Sequence, residues 1–161
     1  MRPFFLLLLV IGISSCSTVH PNLEQGARAS QQFQTTNTGH IVAPAEINGH
    51  AVFLVIDTGA GATVIDRSSV AALNLRVPDK GSSAATSASD AGIAIQSSPG
   101  NHFKFAGTES EDFTFRIMDL GHVVKALSSQ AHPVVGVVGV DWLDAHGATI
   151  KYSDRTITAT Q

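Results

Sequence analysis

The sequence holds a single cysteine, Cys16, in 161 residues. An intramolecular disulfide is therefore impossible. Charge is also scarce. Only 14% of the residues are charged and the formal net charge is −3, which gives no electrostatic reason to expect nucleic acid. The longest apolar run, "FFLLLLVIGI" from Phe4 to Ile13, falls far short of the roughly 20 residues that span a bilayer as a helix. No internal repeat is present, and 14 glycines argue against long helices, because glycine is costly in a helix interior. There is no H-E-x-x-H, no G-x-S-x-G elbow and no glycine-rich phosphate loop, which removes the common signals for zinc peptidases, serine hydrolases and nucleotide enzymes. The 7 histidines (His20, His40, His50, His102, His122, His132 and His146) are never within a few residues of one another. They read as isolated surface or turn residues, and no metal or cofactor is expected.

What is present begins at the N-terminus. Arg2 gives a positive start, and Phe4 to Ile13 is the apolar core of a secretion signal. "ISSC", Ile13 to Cys16, follows directly. It resembles the bacterial lipobox, an aliphatic residue and two small ones before a cysteine. That resemblance implies cleavage after residue 15 and lipidation of Cys16. Because Ser17 rather than aspartate follows, it also implies an outer-membrane protein of the bacterial envelope, facing the periplasm. An ordinary signal peptide with a chance cysteine is the alternative.

Residues 16–38 are polar, with Gln25, Gln31, Gln32 and Gln34 and little apolar periodicity. They read as a tether between anchor and domain; a short helix over Leu23 to Phe33 is the alternative for part of them. From residue 39 to 161 the pattern is that of one all-β domain with one or two short helices. "HIVAPAEI" and "AVFLVI" flank "NGH", Asn48 to His50, a hairpin signal because Asn-Gly accepts the positive φ of a type I′ turn. "DRSSVAALNL", Asp66 to Leu75, reads as a short helix with Asp66 as N-cap. Lys80 to Gly92 is a loop of small polar residues. "GIAIQ", "HFKFAG" and "DFTFRIM" alternate as half-exposed strands. "VVGVVGV", Val134 to Val140, is a buried strand with close-packing glycines, "DWLDAHG" about one helical turn with Trp142 in the core, and "ATIKYSDRTITAT" a closing hairpin turning at Ser153-Asp154.

The chemistry-bearing stretch is "FLVIDTGAGATVID", Phe53 to Asp66. Asp57 lies between two apolar runs, and burying a lone carboxylate costs several kcal/mol unless something compensates it. Asp-Thr-Gly alone is most often a turn. Here it leaves a buried strand, is followed by another β run (Thr63 to Ile65), and is joined much later by "VVGVDWL", Val137 to Leu143. Together these resemble the retropepsin-like aspartic proteases, single-domain bacterial type, whose fold is a closed β domain, an acid-protease half-barrel. Asp57-Thr58-Gly59-Ala60 matches the catalytic Asp-Thr-Gly-Ala. Val137-Val138-Gly139 matches the aliphatic pair and glycine that pack beside that loop. "HGATIKY" matches a strand near the family's C-terminus.

The resemblance implies an aspartic endopeptidase acting on peptide or protein substrates without a cofactor. Two close carboxylates share one proton, so that one activates water while the other polarises the scissile carbonyl. The chain supplies one such motif; Asp90-Ala91-Gly92 is a weak second copy without the hydroxyl. A symmetric homodimer with Asp57 from each chain is the simpler expectation, with Thr58 bonding across the two-fold and Gly59 letting the backbone approach. Gly61 and Ala62 stand where retroviral enzymes often carry acidic residues. Residues 77–133 have no match, so the flap is expected within Lys80 to Pro99. The rival reading, from a different functional class, is a non-catalytic lipoprotein that uses the same β fold as a binding or scaffolding module.

Overall fold

The computed structural model describes residues 28–78, 87–88, 94–129 and 131–160. In chain order the strands are β1 (Arg28–Gln32), β2 (Gln34–Thr35), β3 (Ile41–Ile47), β4 (His50–Ile56), β5 (Val64–Asp66), β6 (Ser87–Ala88), β7 (Ala94–Phe105) and β8 (Thr108–Met118). Helix α1 (Gly121–Leu127), β9 (Val134–Val138), helix α2 (Val140–Ala145), β10 (Thr149–Lys151) and β11 (Thr156–Thr160) follow.

The large sheet runs β2-β3-β4-β9-β5-β8-β7-β6. Strand β3 also pairs with β7, through Glu46↔Lys104 and Ile47↔Phe103. That contact closes β3, β4, β9, β5, β8 and β7 into a barrel, the closed all-β domain expected from the sequence. Turn chemistry sets much of it. Asn48 (φ 49°) and Gly49 (φ 82°) make the β3–β4 turn, and Ala106 (φ 49°) and Gly107 (φ 77°) the β7–β8 turn, both with the paired positive φ that matches strand twist. The three separate strands expected between Gly92 and Met118 are one long hairpin. Pro99 and Gly100 lie within β7, and the register shifts between Ser98 and Asn101, so a bulge absorbs the break that the sequence suggested.

The barrel interior holds Ile47, Leu54, Ile65, Phe103, Phe105, Phe115, Ile117, Val138 and Trp142, each at most 1% exposed. Phe105 meets Trp142 edge to face at 4.8 Å between ring centres. Each such side chain contributes about 1.5–3 kcal/mol of burial, so Trp142 is core, as expected. A second, smaller apolar group lies on the other face of the same strands: Val42, Val55, Val64, Val134 and Val137, with Met118, Leu120 and Leu127 packed on it.

Three expectations need correction. The tether does not extend to residue 38. Strand β1 pairs with β11 over five residues, Arg28↔Thr160 to Gln32↔Thr156, and Phe33 is 2% exposed, so residues 28–33 already belong to the folded domain. Neither tether nor helix describes that stretch. Its β signal is muted because the half-buried positions are Ala29 and Gln31, and Gln31 is bonded at both ends of its amide, to the Pro44 carbonyl and the Ala106 N–H. The helix over Asp66 to Leu75 is a 3₁₀ turn at Arg67–Ser69 followed by turns. Asp66 does cap it, but Asn74 takes a left-handed φ of 53° that ends helical geometry. The strand from Val134 stops at Val138, because Gly139 is already the N-cap of α2. The closing hairpin forms as expected, with β11 in the middle of the three-stranded sheet β1-β11-β10.

Candidate active site

Asp57 occupies a crossing of two chain segments. Strands β4 and β9 run parallel and in register at Val55↔Val137 and Ile56↔Val138, and β9 is flanked on its other side by antiparallel β5 through Val64↔Val137. The chain that leaves β4 must loop over the end of β9 to become β5. Backbone bonds fix that loop on both sides. The Asp57 N–H donates to the Val138 carbonyl at 3.0 Å, the Ala60 N–H to the Asp57 carbonyl at 3.2 Å, and the Val140 N–H to the Ala60 carbonyl at 2.8 Å. Gly139 is the point of closest approach. A Cβ there would lie 2.4 Å from both the carbonyl carbon and oxygen of Ala62 and 2.8 Å from the Ala60 oxygen. Only glycine lets the two segments cross.

A second fastening was not anticipated. Thr63, fully buried, donates its hydroxyl to Asp141 Oδ1 at 2.7 Å and its amide to Asp141 Oδ2 at 2.9 Å. The same hydroxyl accepts from the Gly139 N–H at 3.1 Å. Asp141 Oδ1 also accepts the Trp142 N–H at 2.8 Å. One carboxylate thus ties the exit of the Asp57 loop to the first turn of α2. The sequence signal for it was an aspartate directly after the glycine and one apolar residue, at a helix start where exposed N–H groups favour an acceptor.

The expected residues are brought together in part as foreseen. Asp57, Gly59, Ala60, Val137, Val138 and Gly139 form one continuous patch. The Gly59 N–H reaches Asp57 Oδ1 at 2.9 Å, so the glycine aims an amide at the carboxylate. In one copy the carboxylate is not buried. Asp57, Thr58 and Gly59 are exposed in the single chain, and Asp57 Oδ2 has no hydrogen-bond partner among the described residues. No buried charge has to be compensated within one copy. Thr58 makes no side-chain hydrogen bond among the described residues. Asp57 stands at the edge of a cleft of about 490 Å³ whose wall is largely apolar, with Ala60, Val64, Met118, Leu120, Val123 and Val137. Two other concavities, one at Gln34 to Thr38 and one beside Pro44 and Lys104, do not include Asp57. Asp90, Cys16 and most of the expected flap lie outside the described residues.

One grouping of metal-capable atoms was invisible in sequence spacing. The β7–β8 hairpin places His102, Glu109 and Glu111 with ligand atoms within 4.8 Å of one another. His102 Nε2 is 2.6 Å from Glu109 Oε1, and Lys104 Nζ already sits 3.4 Å from Glu109 and 3.5 Å from Glu46. The His102 hydrogen bond first, then Lys104, holds the Glu109 carboxyl below its ordinary 4.5. The cluster lies on the hairpin surface with its own cation in place.

The chain has counterparts among known proteins. Residues 43–142, more than half of the 161, match the sequence profile of the family described as Aspartyl protease. The chain belongs to this aspartyl protease family. The matched span includes the Asp57 loop, β9 and the first turn of α2. Among solved structures, the chain resembles a retropepsin-like aspartic protease from Rickettsia conorii, with 13% identity and a TM-score of 0.55 over 83% of this chain and 92% of that one. It also matches the retroviral protease-like domain of Ddi1 from Leishmania major, at 16% identity and a TM-score of 0.48 over 80% of this chain and 87% of that one. The EIAV protease in complex with the inhibitor HBY-793 is similar at 19% identity and a TM-score of 0.48, over 83% of this chain and 99% of that one. No curated protein matches the chain in sequence. At 13% identity the Rickettsia structure speaks to fold, which is the retropepsin-like barrel described above.

Proposed function

We propose that this aspartyl protease family member is an endopeptidase whose active centre forms from Asp57 of two copies. The observation that carries the reading is the Asp57 carboxylate itself, exposed and accepting one amide, held on a rigid crossing at the edge of an apolar cleft. A carboxylate saturated with donors has no capacity left to take a proton. This one keeps an oxygen available. One carboxylate cannot serve as both base and acid in the same step. A second Asp57, brought in by an isologous two-fold contact through the exposed Thr58-Gly59 loop, would supply the other role. The pair would share a proton and titrate as a unit: the ionised member takes a proton from water as it attacks the peptide carbonyl, and the protonated member donates to the carbonyl oxygen. Thr58, whose side chain makes no hydrogen bond among the described residues, would bond across that two-fold.

The same reading places the protein in the bacterial envelope. "ISSC" after a short apolar core supports lipidation at Cys16, and acyl chains supply the membrane affinity. Confinement on a surface raises the effective concentration of partner copies, so a weak dimer would still assemble there. Full-length protein in detergent should cleave unstructured peptides with a bell-shaped pH dependence, and Asp57→Asn should abolish it. Equal turnover by purified wild type and variant would defeat the reading. Mass spectrometry of membrane-extracted protein should find acylated Cys16, and a free thiol there would remove the anchor.

A further inference from the structure

Among the described residues, the apolar cleft beside Asp57 contains one formal positive charge, Arg116. Its position follows from strand periodicity. Phe115 and Ile117 of β8 point into the barrel and are fully buried, so Arg116 and Met118 point the other way, over the outer apolar group that floors the cleft. The Arg116 backbone is fixed by β5, with Val64↔Arg116 in register and the Arg116 N–H on the Thr63 carbonyl at 3.0 Å. Across the sheet it faces Ser97, and the guanidinium donates to the Ser97 hydroxyl. Among the described residues no carboxylate lies within ion-pair distance of it; the ion pairs there belong to His102, Lys104 and Lys151. A guanidinium held on a rigid strand, beside apolar walls, with only a neutral partner, is poised for an incoming carboxylate, which it can grip through two N–H groups.

We propose that Arg116 is a specificity-determining residue that selects peptides carrying an acidic side chain two positions from an apolar one, an inference that rests on the endopeptidase reading above. The spacing follows from an extended substrate, in which residues i and i+2 project to the same side and can enter one cleft together. The apolar side chain takes the wall formed by Val64, Met118, Val123 and Val137. The carboxylate takes Arg116. Without Arg116 an acidic side chain would meet only apolar surface and the negative Asp57 centre, so this residue decides whether such substrates are accepted or rejected.

The test uses full-length Asp57→Asn protein in detergent, which separates binding from turnover. Two fluorescein-labelled peptides differ only in Val-x-Glu against Val-x-Gln, and anisotropy reads their affinities. The Glu peptide should bind about tenfold more tightly, the scale of one charge-assisted hydrogen-bonded contact, and the ratio should shrink as salt rises. Adding Arg116→Gln should bring the ratio to about one. Arg116→Lys should keep a preference for Glu, and Arg116→Glu should reverse it in favour of a Val-x-Lys peptide. A ratio near one in the parent protein, or an unchanged ratio in a folded Arg116→Gln protein, overturns the proposal. Were Arg116→Gln to unfold, a salt-insensitive ratio in the parent would overturn it equally. The two readings fail separately. Asp57-dependent cleavage with no preference for the Glu peptide leaves the endopeptidase standing and removes the role of Arg116. A tenfold preference in binding without any Asp57-dependent cleavage removes the endopeptidase and leaves an acidic-peptide site.

Discussion

Two aspartates bracket β5, and they have opposite surroundings. Asp57, before the strand, is exposed, accepts one N–H from Gly59 and faces a cleft. Asp66, at the end of the strand, is 2% exposed and accepts from the Ser68 hydroxyl, the Ser68 N–H at 3.1 Å and the Leu120 N–H at 2.7 Å. Burial by itself would raise the Asp66 pKa, but these hydrogen bonds outweigh it and the carboxyl lies below its ordinary 3.8. Asp66 is spent on architecture: it caps the 3₁₀ turn and clips the start of α1 to β5. Asp57 is held as firmly through its backbone but not through its carboxylate. Fixing the backbone and engaging the carboxylate are therefore separate here: the main chain holds the Asp57 loop and leaves the side chain open to the proposed chemistry.

The largest effect is expected at Asp57. Asp57→Asn should lower peptide cleavage by about a thousandfold or more, since it removes the only proton-accepting group of the proposed dyad in each copy. The urea midpoint should shift by no more than the equivalent of about 0.5 kcal/mol, because the asparagine oxygen can still accept the Gly59 N–H. Gly139→Ala attacks the crossing itself. Its methyl meets Ala62 backbone at 2.4 Å, so unfolding free energy should fall by about 3 kcal/mol, and activity should fall with it.

Asp66→Ala should show the inverse of Asp57→Asn. Buried N–H groups lose their acceptor, which costs about 1–3 kcal/mol, with cleavage retained by the protein that remains folded. The pH dependence has a definite sign. A carboxyl whose folded pKa is depressed binds fewer protons folded than unfolded, so its stabilisation is present above about 3.8 and is lost as pH falls from there through the folded value. Urea melts between pH 5 and 3 (on the order of the unfolded value) should show a weaker acid-induced loss in Asp66→Ala than in wild type. The smallest effect belongs to Thr58→Val. A hydroxyl without a partner among the described residues contributes little to one copy, so the monomer should change by less than about 0.5 kcal/mol, while the dimer dissociation constant measured by sedimentation should rise.

The fold was legible wherever side-chain pattern and turn chemistry agreed. Asn48-Gly49 marked the β3–β4 hairpin, and the apolar run from Val134 to Val140 marked β9, overrunning its end at Val138 by two residues. The stretch from Arg28 to Gln32 was misread because its inward positions are alanine and glutamine, which carry no apolar alternation; the pairing partner β11 is about 130 residues away in sequence. Helix α1 was not foreseen, although Val123, Val124 and Leu127 hold helical spacing, because the stretch lies among turn residues in a region that matched nothing. For the site, Asp57 to Ala60 and Val137 to Gly139 were readable as a motif. Asp141 and Arg116 were not, since their roles depend on which strands lie side by side: Thr63 meets Asp141 and Ser97 meets Arg116 only after the barrel closes. The apolar runs that flank Asp57 in sequence belong to β4, which ends at Ile56, and β5, which begins at Val64, so in one copy Asp57 stands on the loop between them.

Subunit mixing reads whether one active centre needs Asp57 from two copies. Wild type and Asp57→Asn are combined in equal amounts under conditions that allow exchange, and cleavage is followed at constant total protein. If both copies must carry the carboxylate, only wild-type pairs work, and activity should settle at about one quarter of the all-wild-type rate, following the square of the wild-type fraction. Activity that settles at about one half, in proportion to the wild-type fraction, would contradict the account, because each chain would then be complete by itself.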